Sequence, residues 1–155
     1  MKLRVMLADD HAGFREALRM WLELAPDIEV VAEAADGYSV LQVIGQAKPD
    51  VVCMDLNMPG LDGIDTTRQL QSLQPGVKVI GLSAAVELSR VAEIFSAGAL
   101  GYCVKGCASV ELLAAIRMVS RGQNYLSPEL GLKDALELAQ YAARVAPGPA
   151  SAPDS

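Results

Sequence analysis

At 155 residues, 52% of them hydrophobic and 21% charged, the chain has the length of one ordinary domain and the composition of a globular one. Its net charge of −6, with 13 Lys and Arg residues and no dense basic run, argues against a chain that grips a nucleic-acid backbone by itself. Its apolar runs fall short of the roughly 18 residues of a membrane span, and the one in MKLRVMLADD is too short for a signal peptide, so a soluble cytoplasmic protein is expected.

The first apolar run, Leu3–Ala8, leads into Asp9 and Asp10 and then a helical stripe at Phe14, Leu18, Trp21 and Leu22. Pro26 separates it from a second run at Ile28–Ala32, whose helix is marked by Val40, Ile44 and Ala47 and stopped by Lys48-Pro49. The third run, Val51–Met54, ends on Asp55. After Asn57 and the turn residues Met58-Pro59-Gly60 comes a stripe at Ile64, Thr67 and Leu70, with Asp62 and Asp65 placed to complement the helix dipole. Pro75-Gly76 precedes Val77–Leu82, which ends on Ser83; Leu88, Val91, Ala92 and Phe95 follow, with Gly98 as the C-terminal cap. The fifth run, Gly101–Val104, ends on Lys105 and is followed by Leu112, Leu113, Ile116 and Val119.

All five runs are apolar on both faces, as strands covered by helices on each side must be. Strict alternation with short connections predicts right-handed crossovers and a doubly wound, five-stranded parallel sheet, with ligands at the carboxyl ends of the strands. That domain is expected over residues 1–122, a linker with a helix (Leu132–Val145) over 123–145, and a disordered Pro- and Ala-rich tail over 146–155. Cys53, Cys103 and Cys107 are odd in number and lack further soft ligands nearby, so reduced core thiols are expected rather than zinc.

If the first and third strands are adjacent, Asp9, Asp10 and Asp55 converge at one sheet edge. Gathering like charges is unfavourable unless a cation neutralises them, and hard oxygen donors at an open edge suit Mg²⁺. Ser83 adds a hydroxyl and Lys105 a flexible positive charge. The set suits phosphoryl transfer to a carboxylate, where catalysis is mostly positioning and charge neutralisation. The plainer alternatives are that Asp9 and Asp10 cap the first helix, that His11 caps a helix or fills a loop, and that Tyr102 is only a core aromatic.

The series LADDH, MDLNMPGLDG, GLSA and AGALGYCVKG resembles the receiver domain of bacterial two-component response regulators. GYCVKG followed by SVELLAAIRMVSRGQNYLSP is most similar to the NarL/FixJ (LuxR-type) subfamily, and the resemblance spans about residues 2–128. It implies that Asp55 accepts the phosphoryl group from a sensor histidine kinase. It further implies that Asp10, Asp55 and the backbone carbonyl of Asn57 ligate Mg²⁺, with Asp9 acting through a bound water. Lys105 would pair with Asp55 and then with a phosphoryl oxygen; Ser83 would swing toward that group while Tyr102 turns inward behind it. Gly106 stands where many receivers have proline, which leaves the Lys105–Gly106 geometry open.

A haloacid-dehalogenase-type Mg²⁺ phosphatase also uses a strand-end aspartate, but the position two residues on, where a general acid is needed, is Asn57, an amide. Relatives in the subfamily imply a homodimer formed on phosphorylation and transcriptional output through a DNA-binding helix-turn-helix. Residues 123–155 carry only Lys133 and Arg144 as basic residues and no such motif, so DNA contact is expected only through a domain absent from this chain. A chain cut within its linker is the favoured expectation; a stand-alone receiver acting through a protein partner is the alternative.

Overall fold

The computed structural model describes residues 2–85, 87–106 and 109–128. Strands β1 (Leu3–Ala8), β2 (Ile28–Ala34), β3 (Val51–Asp55), β4 (Lys78–Ser83) and β5 (Gly101–Val104) alternate with helices α1 (Ala12–Leu22), α2 (Gly37–Ala47), α3 (Gly63–Leu73), α4 (Leu88–Ser96) and α5 (Ser109–Ser120). With a short further strand, β6 (Tyr125–Leu126), the strands pair in parallel in the order β2-β1-β3-β4-β5-β6. Strand order reverses at β1, which lies between β2 and β3, so the loops after β1 and β3 diverge there and open a crevice.

One element departs from expectation: among the described residues the sheet has six strands, not five. Strand β6 (Tyr125–Leu126) pairs Gly101 with Tyr125 and Tyr102 with Leu126. Two residues are too short for any periodicity to reveal. The physical reason for the strand is that β5 would otherwise present an unpaired edge. The Tyr125 amide donates to the Leu100 carbonyl at 3.1 Å and the Ser127 amide to the Tyr102 carbonyl at 3.0 Å. The sheet therefore runs past Gly122, where the linker was expected to begin. The expected helix at Leu132–Val145, the tail and Cys107 lie outside the described residues.

Side chains alternate across the sheet and give it two cores. Met6, Val52, Met54 and Val79 pack against Val40 and Ile44 of α2, Ile64 and Leu70 of α3, and Val91 and Ile94 of α4. Val5, Leu7, Cys53, Ile80 and Leu82 pack against Leu22 of α1 and Leu112, Ile116 and Val119 of α5. Each such aliphatic side chain, once buried, contributes about 1.5–3 kcal/mol of transfer free energy. Strand β3, covered on both faces, carries no charge until its last residue, Asp55.

The helix starts are fixed locally. Asp36 caps α2 through the Ser39 amide at 2.8 Å, and Asp62 caps α3 through the Asp65 amide at 2.9 Å. The N-cap of α1 is His11, so neither Asp9 nor Asp10 takes the capping position. Gly98 follows α4 with φ 119°, a conformation open to glycine. Among the described residues no peptide bond is cis. No helix among them is long and apolar enough to cross a membrane.

Candidate functional site: an acidic crevice closed by one lysine

Asp55 is the last residue of β3, between β1 and β4, and only 2% exposed. Its Oδ1 accepts the Asn57 amide at 3.0 Å, and its Oδ2 lies 3.3 Å from the Lys105 Nζ. Asp9 follows β1 and is 3% exposed. Its amide donates to the Ala34 carbonyl at 3.0 Å, its Oδ1 accepts the His11 amide at 2.8 Å, and its Oδ2 lies 2.8 Å from the same Lys105 Nζ. Asp10, the next residue, is exposed. Lys105 thus bridges two buried carboxylates from adjacent strands. Its backbone amide continues the β4–β5 ladder by donating to the Ser83 carbonyl at 2.8 Å.

Burial raises the Asp55 carboxyl above its ordinary value; the Asn57 amide opposes this, neighbouring Asp9 adds to it, and Lys105 offsets part of it. Burial by itself would lower the Lys105 ammonium, but its hydrogen bond to Asp9 and the Asp55 charge outweigh that and raise it. The cation is therefore held charged by the acids it separates.

Gly63, at the start of α3, lets the loop after Asp55 close tightly. A Cβ there would sit 2.2 Å from the Asp55 carbonyl oxygen and 2.9 Å from the Leu56 Cα.

The structure brings together Asp9, Asp10 and Asp55, and adds His11: each offers a ligand atom, all within 4.8 Å of one another. Carboxylate oxygens collected at an open sheet edge fit a hard divalent cation such as Mg²⁺. His11 takes the N-cap position of α1, as the plainer reading allowed, without a side-chain cap bond, and its Nδ1 lies 3.5 Å from Asp9 and 3.6 Å from Asp10.

Ser83 and Tyr102 stand on adjacent strands, and Tyr102 is fully buried. The Ser83 hydroxyl donates to the Ala85 carbonyl at 2.8 Å and is in hydrogen-bond contact with the Tyr102 hydroxyl. The Tyr102 hydroxyl also lies 3.5 Å from the Ala85 carbonyl. Tyr102 was expected to turn inward as part of a switch; in this structure its ring already occupies the inward position. Burying the ring is favourable, and the loop after β4 supplies its hydroxyl with partners.

Three supporting residues were not singled out for the site from the sequence. The Phe14 ring centroid lies 4.9 Å from the Lys105 Nζ, a cation–π contact that flanks the lysine on the α1 side. Arg15 donates to the Asp9 carbonyl and, at 2.9 Å, to Glu33 on β2, fixing the acidic loop. Arg90 of α4 donates to the Leu56 carbonyl at 3.0 Å and to Asn57 Oδ1 at 3.2 Å. Phe14 reads as one more core residue in a helical stripe, and the two arginines as surface charges; only the fold shows what they reach.

The sheet thus carries carboxylates at the reversal of strand order, a hydroxyl at the end of β4 and a lysine after β5, the layout of a doubly wound α/β domain with its site at the carboxyl ends of the strands. The family model described as "Response regulator receiver domain" matches residues 5–117, and the chain belongs to that family. The transcriptional regulatory protein LiaR of Bacillus subtilis (strain 168) is 38% identical over 131 residues, covering 84% of this chain and 62% of LiaR. DegU of Brevibacillus brevis, also a transcriptional regulatory protein, is 36% identical over 129 residues, covering 83% of this chain and 55% of DegU. The chain therefore spans somewhat over half the length of these relatives. Among solved structures, a LuxR-family two-component response regulator from Aurantimonas sp. SI85-9A1 superposes with a TM-score of 0.82 at 33% identity, covering 92% of this chain and 99% of that one. The receiver domain of the putative response regulator NarL from Mycobacterium tuberculosis gives 0.75 at 34% identity, covering 79% and 98%. The similarity to the NarL/LuxR group expected from the sequence is thus met by both kinds of relative.

Proposed function

We propose that this receiver works as a cytoplasmic switch that accepts a phosphoryl group on Asp55 from a sensor histidine kinase. The observation that carries the reading is Lys105, whose single ammonium bridges Asp9 and Asp55 at 2.8 and 3.3 Å. A buried carboxylate next to a mobile cation can attack phosphorus and pass its new negative charge to a partner already in place. In the transfer, a bond forms between an Asp55 oxygen and phosphorus while the donor's P–N bond breaks, its electron pair returning to the imidazole of the kinase.

Asp10, Asp55 and the Asn57 carbonyl would hold Mg²⁺, with Asp9 contributing through a water. The ion, when bound, neutralises charge on the phosphoryl oxygens. The chain's own groups do the rest. Lys105 shifts from Asp55 to a phosphoryl oxygen, and the Asn57 amide keeps the carboxylate oriented. Ser83 exchanges the Ala85 carbonyl for a phosphoryl oxygen, with Tyr102 packed behind it. The phosphoryl group, which carries about −2 near neutral pH in place of the single carboxylate charge, biases the loop after β4, and with it α4 and β5, toward a second arrangement. A partner or a second copy that prefers that arrangement then binds more tightly. Because the chain matches transcriptional regulators, we propose DNA binding through a further domain as the output.

Incubating the chain with acetyl phosphate and Mg²⁺ should add one phosphoryl mass to the intact protein, and Asp55→Ala should abolish the gain. Persistence of the added mass in Asp55→Ala would place the acceptor elsewhere.

A further inference from the structure

We propose that Arg90 is a positioning residue for this site, latching the first turn of α4 to the loop after Asp55 so that the two move as one body. The inference rests on the reading of Asp55 as the acceptor, but the latch itself is a feature of the fold. A single guanidinium nitrogen reaches both the Leu56 carbonyl, at 3.0 Å, and Asn57 Oδ1, at 3.2 Å. These are the two residues immediately after Asp55, and the Asn57 amide in turn holds the Asp55 carboxylate at 3.0 Å. Two bonds therefore separate the guanidinium from the acceptor.

The two contacts are unequal. Leu56 is fully buried and fixed: its amide donates to the Leu82 carbonyl at 2.9 Å, and its carbonyl also accepts the Gly63 amide at 3.2 Å. Asn57 is exposed and offers only an amide side chain. Arg90 thus anchors on a rigid point and steers a movable one. On the helix side the contact matters because α4, unlike α2 and α3, begins without a side-chain cap at Glu87. Between the two walls lies a recess of about 130 Å³, with Asn57, Ser83, Ala85, Glu87 and Arg90 in its lining. At about 30 Å³ per water it has room for a few waters rather than packed side chains. The guanidinium bonds cross a space that packing leaves open, so a shift of the loop after Asp55 is transmitted to the first turn of α4 through Arg90.

The experiment compares wild type, Arg90→Met, which keeps the apolar stem and removes the donors, and Arg90→Lys, which keeps several donors on one nitrogen. Hydrogen exchange is read at the Arg90 and Val91 amides, which both bond to the Glu87 carbonyl. The lifetime of the phosphoryl group is read by intact mass after acetyl phosphate and Mg²⁺ are removed. Arg90→Met should exchange about tenfold faster at these amides and change the phosphoryl lifetime by at least about threefold, and Arg90→Lys should restore both. Unchanged exchange overturns the latch. Faster exchange with an unchanged lifetime overturns the positioning role and leaves only a structural tie. If the wild-type chain takes up no phosphoryl group, the Asp55 reading fails, while the exchange measurement still decides the latch.

Discussion

The two ends of the sheet are built on opposite principles. At the amino end, polar groups meet complementary partners. The Arg4 amide donates to the Asp50 carboxylate at 2.9 Å, and its guanidinium to the Ala47 and Lys48 carbonyls at 2.7 and 3.2 Å, closing the end of α2. Arg117 of α5 grips Asp27 before β2 with two bonds of 2.9 Å. At the carboxyl end, two buried carboxylates and an exposed one face each other with one lysine shared between the buried pair. The first end contributes stability without chemistry; the second gives up stability to keep charge available. A fold can carry both because its two cores, which supply most of the favourable burial, lie between them.

Substitutions should separate the ends, and the largest effect belongs to Lys105→Met. Removing the shared cation leaves Asp9 and Asp55 buried without compensation and should cost about 3 kcal/mol of unfolding free energy at neutral pH. Mg²⁺ should restore part of that in urea titrations; a loss indifferent to Mg²⁺ would argue that the acids do not form one site. Asp55→Asn should act in the opposite direction. Because the folded-state carboxyl is raised, its ionised form weakens the fold, so the variant should be more stable than wild type by about 1 kcal/mol at pH 7. As the pH falls through the folded value toward the ordinary 3.8, wild-type Asp55 becomes neutral and the advantage should vanish. An advantage that stays constant with pH would assign the effect to shape rather than charge.

The smallest effect is at the other end. The Arg117 hydrogen bond holds the Asp27 carboxyl below its ordinary 3.8, so this pair adds stability above that value and loses it as the pH falls through the lowered one. Both groups are partly exposed and solvent screens them, so Asp27→Asn should cost less than about 1 kcal/mol. Phosphoryl uptake should be untouched; a change there would show that the two ends are coupled.

Much of this was legible in the chain itself. The five long strands and five helices could be read because both-face apolar runs and three-to-four-residue stripes are long enough to repeat, and the breakers at Pro26, Lys48-Pro49 and Pro75-Gly76 separate them. Asp9, Asp10, Asp55, Ser83 and Lys105 were legible because each follows or ends a strand, and parallel topology brings such positions to one edge. Strand β6 was not, since two residues carry no period. The side-chain contacts of Arg90 and Phe14 were not either, because they depend on helices whose rotation about their axes is set by packing. Nor could spacing say which way the Tyr102 ring points; its inward position is a decision of the core.

The short sixth strand has a mechanical consequence. The Ser127 amide is bonded to the carbonyl of Tyr102, so β6 and the residue after it hang on the backbone of the residue that touches Ser83. Through that rung Ser127 is tied to the strand that ends beside Lys105. A displacement of β5 by even a fraction of an ångström would therefore carry Ser127 with it directly, without first crossing a helix.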